Sequence, residues 1–413
     1  MRTSSSRTRA RRWVFGVLLL NFALFGITAV MLGATVPRVM RDLQWGYVET
    51  GCVLSASSVG YLVSTFLSGL FLGRAGPRRA LAVGLALQAA GLGLFGRWPG
   101  VGVNVALTFL MGVGHGLVEV ATNVCVVGME RARESRLMNL MHAAFPVGAI
   151  AGPLLVAWLL GLGRSWPPLY RGLAALNVAG AALVLASPFS ELAAGRPPPL
   201  RAGALRGLVT RPRFLFLASA ITFYVACEVG ISSWIAEYFV VAHRFSPAAS
   251  ARAVAVFWSG ILLGRLGASF GDRALRRWCG APERLLAAFA ALQSAGLLAA
   301  VTAGRAAAAE ALFFVCGLGC SAVYPLTMRL VGSSVPQELG IAVGLTASGG
   351  GLGAMLAPFL MSWIGARSGI GAGFWLCVGF ALLTLVSVLA AAVRGRAPRT
   401  PAPEAAAPGP IHE

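Results

Sequence analysis

A long apolar run ordinarily excludes ionisable side chains, because each one costs about 2.5–3.5 kcal/mol near the centre of a membrane-spanning helix. Within Val101–Val127 the string Gly114-His115-Gly116-Leu117-Val118-Glu119-Val120-Ala121-Thr122-Asn123 nevertheless sets His115, Glu119 and Asn123 at intervals of four. On a helix this spacing puts all three on one face. A carboxyl in such a medium has to be protonated or paired, so Glu119 is suited to load and release a proton. His115, one turn away, could share or steer that proton. The competing reading is a hydrogen bond that only pins two helices together.

A second acid, Glu228, is almost central in Phe214–Val240, and Tyr224 and Ser232 share its face. Trp234 and Tyr238 lie further along this run. They fit either a stacking platform for a sugar ring or an interfacial aromatic belt. Met138–Leu160 opens with Asn139 and His142 as i, i+3 neighbours, His142 being a substrate ligand or a packing histidine. In Gly317-Leu318-Gly319-Cys320-Ser321-Ala322-Val323-Tyr324-Pro325 the glycines and proline suggest an interrupted helix, with the Tyr324 phenol aimed at a cavity or a neighbour. Glu49, Glu237 and Glu310 fall near run ends and read as solvated, Glu237 being the strongest exception.

The elements that must position these groups follow from composition. The chain has 413 residues, 57% hydrophobic and 12% charged, against roughly 25% charged for soluble domains. A water-soluble enzyme, a disordered chain and a disulfide scaffold are excluded. Twelve runs approach the ~20 residues needed to cross a bilayer: Trp13–Thr35, Val48–Leu72, Ala80–Gly96, Val101–Val127, Met138–Leu160, Tyr170–Pro188, Phe214–Val240, Ala251–Phe270, Leu285–Ala303, Ala307–Leu330, Ile341–Ile364 and Ile370–Val393. They lack strict alternation, so the expected fold is an all-α membrane protein of twelve transmembrane helices in two pseudo-symmetric six-helix bundles. The expected organisation is a tail at 1–12, a first bundle over 13–188, a connector at 189–213, a second bundle over 214–393 and a disordered tail at 394–413. Arg11-Arg12 before the first run resembles an export signal, but the run is long and has no Ala-x-Ala cleavage site.

The formal net charge of +20 comes from 34 basic residues, all arginine. With the N-terminus in the cytoplasm, 25 arginines fall inside and nine outside. The bias satisfies the positive-inside rule with both termini cytoplasmic, and it makes anionic lipid, not nucleic acid, the partner of this charge. The seven cysteines mostly lie in apolar runs without metal-ligand spacing.

The two sets of six runs carry echoes of each other. Gly69-Leu-Phe-Leu-Gly73-Arg74-Ala-Gly76-Pro77-Arg78-Arg79 follows the second run, and Gly264-Arg265-Leu-Gly267-Ala-Ser-Phe-Gly271-Asp272-Arg273 follows the eighth. Gly148-x-x-x-Gly152-Pro153 recurs as Gly353-x-x-x-Ala357-Pro358, offset by 205. Small residues at this spacing let helices approach closely in lipid.

On these features the chain resembles the major facilitator superfamily over nearly its whole length. Gly69, Arg74, Gly76, Arg78 and Arg79 match the family's loop pattern, Gly73 stands where its acid belongs, and the second copy keeps Asp272 and Arg273. The resemblance implies that this loop gates the cytoplasmic side. The stripe of His115, Glu119 and Asn123, the Arg136-Leu-x-Asn139 opening, and Tyr224-Val-x-x-Glu228 before Trp234 resemble the fucose–proton symporter and related bacterial sugar permeases. That branch implies proton coupling and sugar binding at Glu119, a role for Asn123, and a location in the bacterial inner membrane. Its acid in the first span has no counterpart here, where Gly33 occupies the place.

The sequence-based expectation is therefore a non-enzymatic, monomeric transporter without cofactor, driven by the proton gradient and taking up a neutral monosaccharide or similar small polar solute. Glu119, His115 and Glu228 are expected to couple protons. Asn123, Asn139, His142, Tyr224, Glu228, Trp234 and Tyr324 are expected to bind substrate. That no arginine falls at mid-span favours a neutral solute, since a bound carboxylate or phosphate would want a buried cation. The alternative is a proton-driven exporter of apolar compounds. Gly148-x-x-x-Gly152-Pro153 partly fits it, but Leu154-Leu155 stands where such exporters have paired glycines.

Overall fold

The structure is a computed structural model that describes residues 4–129, 136–189, 202–279, 281–335 and 338–395. Its helices are α1 (Ser4–Leu43), α2 (Tyr47–Leu94), α3 (Val101–Met129), α4 (Arg136–Gly161), α5 (Pro167–Ala186), α6 (Ala202–Val209), α7 (Pro212–His243), α8 (Pro247–Cys279), α9 (Pro282–Thr302), α10 (Ala306–Cys320), α11 (Val323–Ser334), α12 (Leu339–Ser368) and α13 (Ile370–Gly395). Among the described residues there is no strand.

Among the described residues, eleven helical segments are long and apolar enough to cross a membrane. The remaining expected span, Ala80–Gly96, forms the second limb of α2. A kink at Gly76 (φ 77°, ψ 163°) divides the two limbs. Pro77 disfavours helical geometry at the residue before it, and a positive φ is cheap only for glycine. The expected span 10 is likewise split, its halves being α10 and α11, with the break at Ser321 and Ala322 just ahead of Pro325. α1 starts at Ser4, so helix reaches back into the segment read as a tail.

Glycine contacts show that the two halves are built alike. A Cβ on Gly148 of α4 would lie 2.9 Å from the Ile27 nitrogen of α1, and one on Gly353 of α12 would lie 3.0 Å from the Ala226 nitrogen of α7. Gly112 of α3 meets Tyr61 of α2 as Gly317 of α10 meets Ile261 of α8. The repeated small-residue motifs thus seat the same helix pair in each half. Where lipid tails are as apolar as leucine, close backbone approach supplies dispersion contacts that hydrophobicity alone does not. Large apolar side chains such as Leu20, Trp158 and Val386 stay exposed on the outside of the bundle, as a lipid-facing surface requires.

The halves meet firmly at the end that carries the α1–α2 and α7–α8 turns. A Cβ on Gly33 of α1 would collide with the Ser232 carbonyl of α7, and one on Gly51 of α2 with the Ser362 side chain of α12. Phe145 of α4 packs edge-on against Trp258 of α8, ring centroids 5.5 Å apart. At the opposite end, α6 buries Leu208. Ion pairs at 3.3 Å (Arg211–Glu338) and 2.8 Å (Arg213–Glu283) tie the start of α7 to the starts of α12 and α9.

Candidate functional site

Glu119 lies one turn past the middle of α3 and is only partly buried. The Tyr61 hydroxyl of α2 donates to its Oε2 at 2.9 Å. The register of the halves explains what it faces. Gly112 and Gly317 are equivalent, 205 residues apart, and the same offset carries Glu119 onto Tyr324. The two lie within electrostatic range of each other, as pseudo-symmetric mates near the interface between the halves would.

Tyr324 is also within electrostatic range of Glu228. Glu228 is central in α7 and partly buried. The Tyr224 hydroxyl lies beside its carboxylate without completing a hydrogen bond, and the Tyr224 and Tyr324 rings are 6.5 Å apart. The Asn123 side-chain oxygen is likewise buried without a hydrogen-bond partner among the described residues.

The repeat at Gly264–Arg273 puts Arg265 in a loop and predicts no cation at mid-membrane. In the structure α8 runs on to Cys279, so Arg265 is helical and not in a loop, and it lies within electrostatic range of Glu228, Tyr224, Tyr324 and, on the other half, His142. An arginine stem is long enough to carry its guanidinium inward from a backbone position near the end of a span. Tyr61 is a further site residue that sequence reasoning misses. Tyrosine is ordinary in an apolar run, and only the packing of α2 on α3 shows that its hydroxyl reaches Glu119.

Other expected site residues are placed elsewhere. His115 is buried, its Nε2 is 3.0 Å from the Thr28 hydroxyl, and Thr28 also donates to Gln88 at 3.2 Å. This knots α1, the second limb of α2 and α3 together. His142 is exposed and packs edge-on against Phe22. Trp234 is fully buried, donates to the Pro358 carbonyl at 3.1 Å and lies against Tyr47. It is part of the closed end. Tyr238 is packed among Phe239, Phe313 and Phe374. Glu237, the exception among the terminal acids, accepts from the Tyr47 hydroxyl across the halves at 3.2 Å. Glu310 pairs with Arg252 at the surface. Of the gating-loop set, Gly76 forms the α2 kink and Arg74, Arg78 and Arg79 flank it. Gly69 is helical. The side chains of Asn139, Asp272 and Arg273 lie outside the described residues.

The arrangement is a polar cluster between two apolar half-bundles: two carboxylates, one guanidinium and three phenols. It can hold a hydroxylated solute by hydrogen bonds and take up a proton at a carboxylate. Comparison with known proteins places this geometry in context. The family model described as Major Facilitator Superfamily matches residues 18–309 and 281–412. An uncharacterised MFS-type transporter of Yersinia pestis is 24% identical over 378 residues, 91% of this chain and 94% of that protein. A putative glucose/galactose transporter of Helicobacter pylori is 24% identical over 364 residues, 83% of this chain and 87% of its own. Among solved structures, a point mutant of the nucleoside transporter NupG superposes with a TM-score of 0.73 at 14% identity, covering 93% of this chain and 99% of that one. A D-xylose–proton symporter superposes with 0.72 at 15% identity, covering 91% and 96%.

Proposed function

Because this chain belongs to the Major Facilitator Superfamily, we propose that it is a secondary active transporter that moves a sugar together with a proton by alternating access. One observation carries the reading. Glu119, held by the Tyr61 hydroxyl at 2.9 Å in the first half, and Glu228 in the second half lie within electrostatic range of the same phenol, Tyr324. Groups set near the interface between the halves sense their relative motion, and a carboxylate there can make that motion depend on protonation.

The sugar part of the reading draws on the relative named as a glucose/galactose transporter and on the polar character of the cluster. Phenols, carboxylates and a guanidinium supply donors and acceptors for hydroxyl groups, and the phenol rings supply faces for the apolar side of a sugar. With Arg265 beside the cluster, a missing cation no longer favours a neutral solute. Arginine also donates to hydroxyls, so a neutral solute stays compatible with the site.

In this reading the arginine bias orients the protein with both termini in the cytoplasm of a bacterial inner membrane. The firmly packed end, at Gly33, Tyr47 and Glu237, is then the outer one. The bare carboxylate of Glu119 is too costly to carry through a closed site, so the loaded carrier reorients with Glu119 protonated. Uptake of labelled D-glucose and D-galactose into proteoliposomes under an imposed pH gradient tests the proposal. Gradient-driven accumulation is expected, and its absence for both sugars would count against sugar–proton symport.

A further inference from the structure

We propose that the sugar binds off the molecular axis, the apolar face of its ring against Phe145 and Trp258 on the α4–α8 side, and that Trp258 selects a ring over an open chain. The proposal rests on the sugar reading and gives that site a direction. It starts from a layer of rings that joins the halves. Phe25 of α1 lies 5.0 Å from Phe145 of α4 between ring centroids, and Phe145 lies 5.5 Å from Trp258 of α8. The layer is tied down at both ends. The Trp258 indole N–H donates to the Ser232 hydroxyl of α7 at 2.9 Å, and Ser232 is one turn from Glu228. Phe25 packs on His115 at 5.0 Å, and His115 is one turn from Glu119.

The pseudo-symmetry shows what stands opposite. Parallel repeats set equivalent residues at equal depth on opposite sides of an axis along the membrane normal. Glycine contacts fix the register: Gly148 lies on Ala23 and Ile27 of α1 as Gly353 lies on Thr222 and Ala226 of α7. Likewise Gly112 lies on Ser57 and Tyr61 of α2 as Gly317 lies on Phe257 and Ile261 of α8. The equivalents of Phe25, Phe145 and Trp258 are therefore Tyr224, Gly350 and Ser58. Apolar rings line one side, and a phenol, a glycine and a hydroxyl line the other, where Tyr324 stands 6.5 Å from Tyr224.

Sealing the seam does not require these rings. The equivalent α2–α12 seam closes with Gly351 against Leu62. A sugar ring carries C–H groups on a face and hydroxyls around its edge, so a site with rings on one side and polar groups on the other suits it. Phe145 is only partly buried, whereas Trp258 is buried beneath it. As alternating access parts α4 from α8, the indole face comes free while Ser232 holds its edge.

The test is equilibrium binding of labelled D-glucose to the purified protein, with D-sorbitol as the open-chain competitor. No gradient is involved. Trp258→Ala is expected to weaken D-glucose binding about tenfold and Trp258→Phe less, with competition by D-sorbitol unchanged. Unchanged D-glucose binding, or equal weakening for both ligands, overturns the inference. If Trp258→Ala does not fold, two equivalent reporters decide, each in a chain whose other cysteines are replaced. Leu262 is one turn from Trp258 on α8, Leu62 is its counterpart on α2, and both are partly buried. D-glucose is expected to slow the reaction of Leu262→Cys with N-ethylmaleimide severalfold and to leave Leu62→Cys unchanged. No slowing at 262, or the same slowing at 62, overturns the inference. A wild type that binds neither D-glucose nor D-galactose overturns the sugar reading, and the inference with it. Binding without gradient-driven accumulation overturns proton symport alone.

Discussion

Glu119 and Tyr61 form the contact on which the chemistry turns. A hydrogen bond to a charged acceptor is worth about 1.5–3 kcal/mol, and every 1.4 kcal/mol is about tenfold in an equilibrium. Tyr61→Phe keeps the ring and removes the donor at 2.9 Å. It is expected to lower gradient-driven uptake about tenfold or more while the protein still assembles, as read by accumulation against counterflow. Glu119→Gln mimics the protonated acid permanently. It should abolish accumulation and spare counterflow, and gradient-driven uptake at the wild-type level would remove Glu119 from the mechanism. Both glutamates are legible in the sequence because an acid inside an apolar run stands out against the cost of burying it. Tyr61 is not, since phenols are common in such runs and the partner lies 58 residues away. Arg265 misleads for a different reason. An arginine beside glycines at the end of an apolar run looks like the start of a loop, while the helix continues to Cys279.

Among the elements, the decisive contacts are those where backbone meets backbone. Gly148 of α4 and Gly353 of α12 are visible as repeated motifs, and the offset between them already implies related halves. Which helix each motif seats is not visible, because small-residue spacing names a surface without naming its partner. Gly33 is different in kind: its neighbour is Ser232 in the other half, so it packs an interface that alternating access has to open. Gly33→Val is expected to keep the fold and prevent the α1–α7 end from closing. A Gly46→Cys reporter should then gain reactivity toward a membrane-impermeant maleimide, and net uptake should fall about tenfold or more. Unchanged labelling would show that this approach does not limit closure. The kink at Gly76 is half legible: Pro77 marks a break, but the positive φ that makes glycine necessary is a property of the folded turn.

Across the whole molecule, the closed end is a layered seam. Tyr47 donates to Glu237 at 3.2 Å and lies on Trp234, and Trp234 donates to the Pro358 carbonyl. One tyrosine of the first half thus contacts two residues of α7, and through Trp234 the seam reaches α12. Interhelical hydrogen bonds in membranes are worth about 0.6 kcal/mol on average, so such a seam can close and still open on each cycle. Tyr47→Cys with Glu237→Cys, in a chain whose other cysteines are replaced, is expected to react with a short bis-maleimide and stop net uptake. The same pair left uncrosslinked should transport. Crosslinked protein that still accumulates sugar would show that this end does not need to part.

The amino-acid sequence by itself determined that this chain crosses a membrane many times, that its two halves are related, and that Glu119 and Glu228 are the acids to explain. These conclusions need only hydropathy, periodicity and the cost of charge in an apolar medium, all of which act locally along the chain. Tertiary structure alone decided which groups meet: Tyr61 with Glu119, His115 with Thr28, and Tyr47 with Glu237. Each pair joins helices distant in sequence or side chains whose reach depends on how the helices are set. Lipid offers no hydrophobic gradient between one helix face and another, so pairing follows from shape and polar contact in three dimensions.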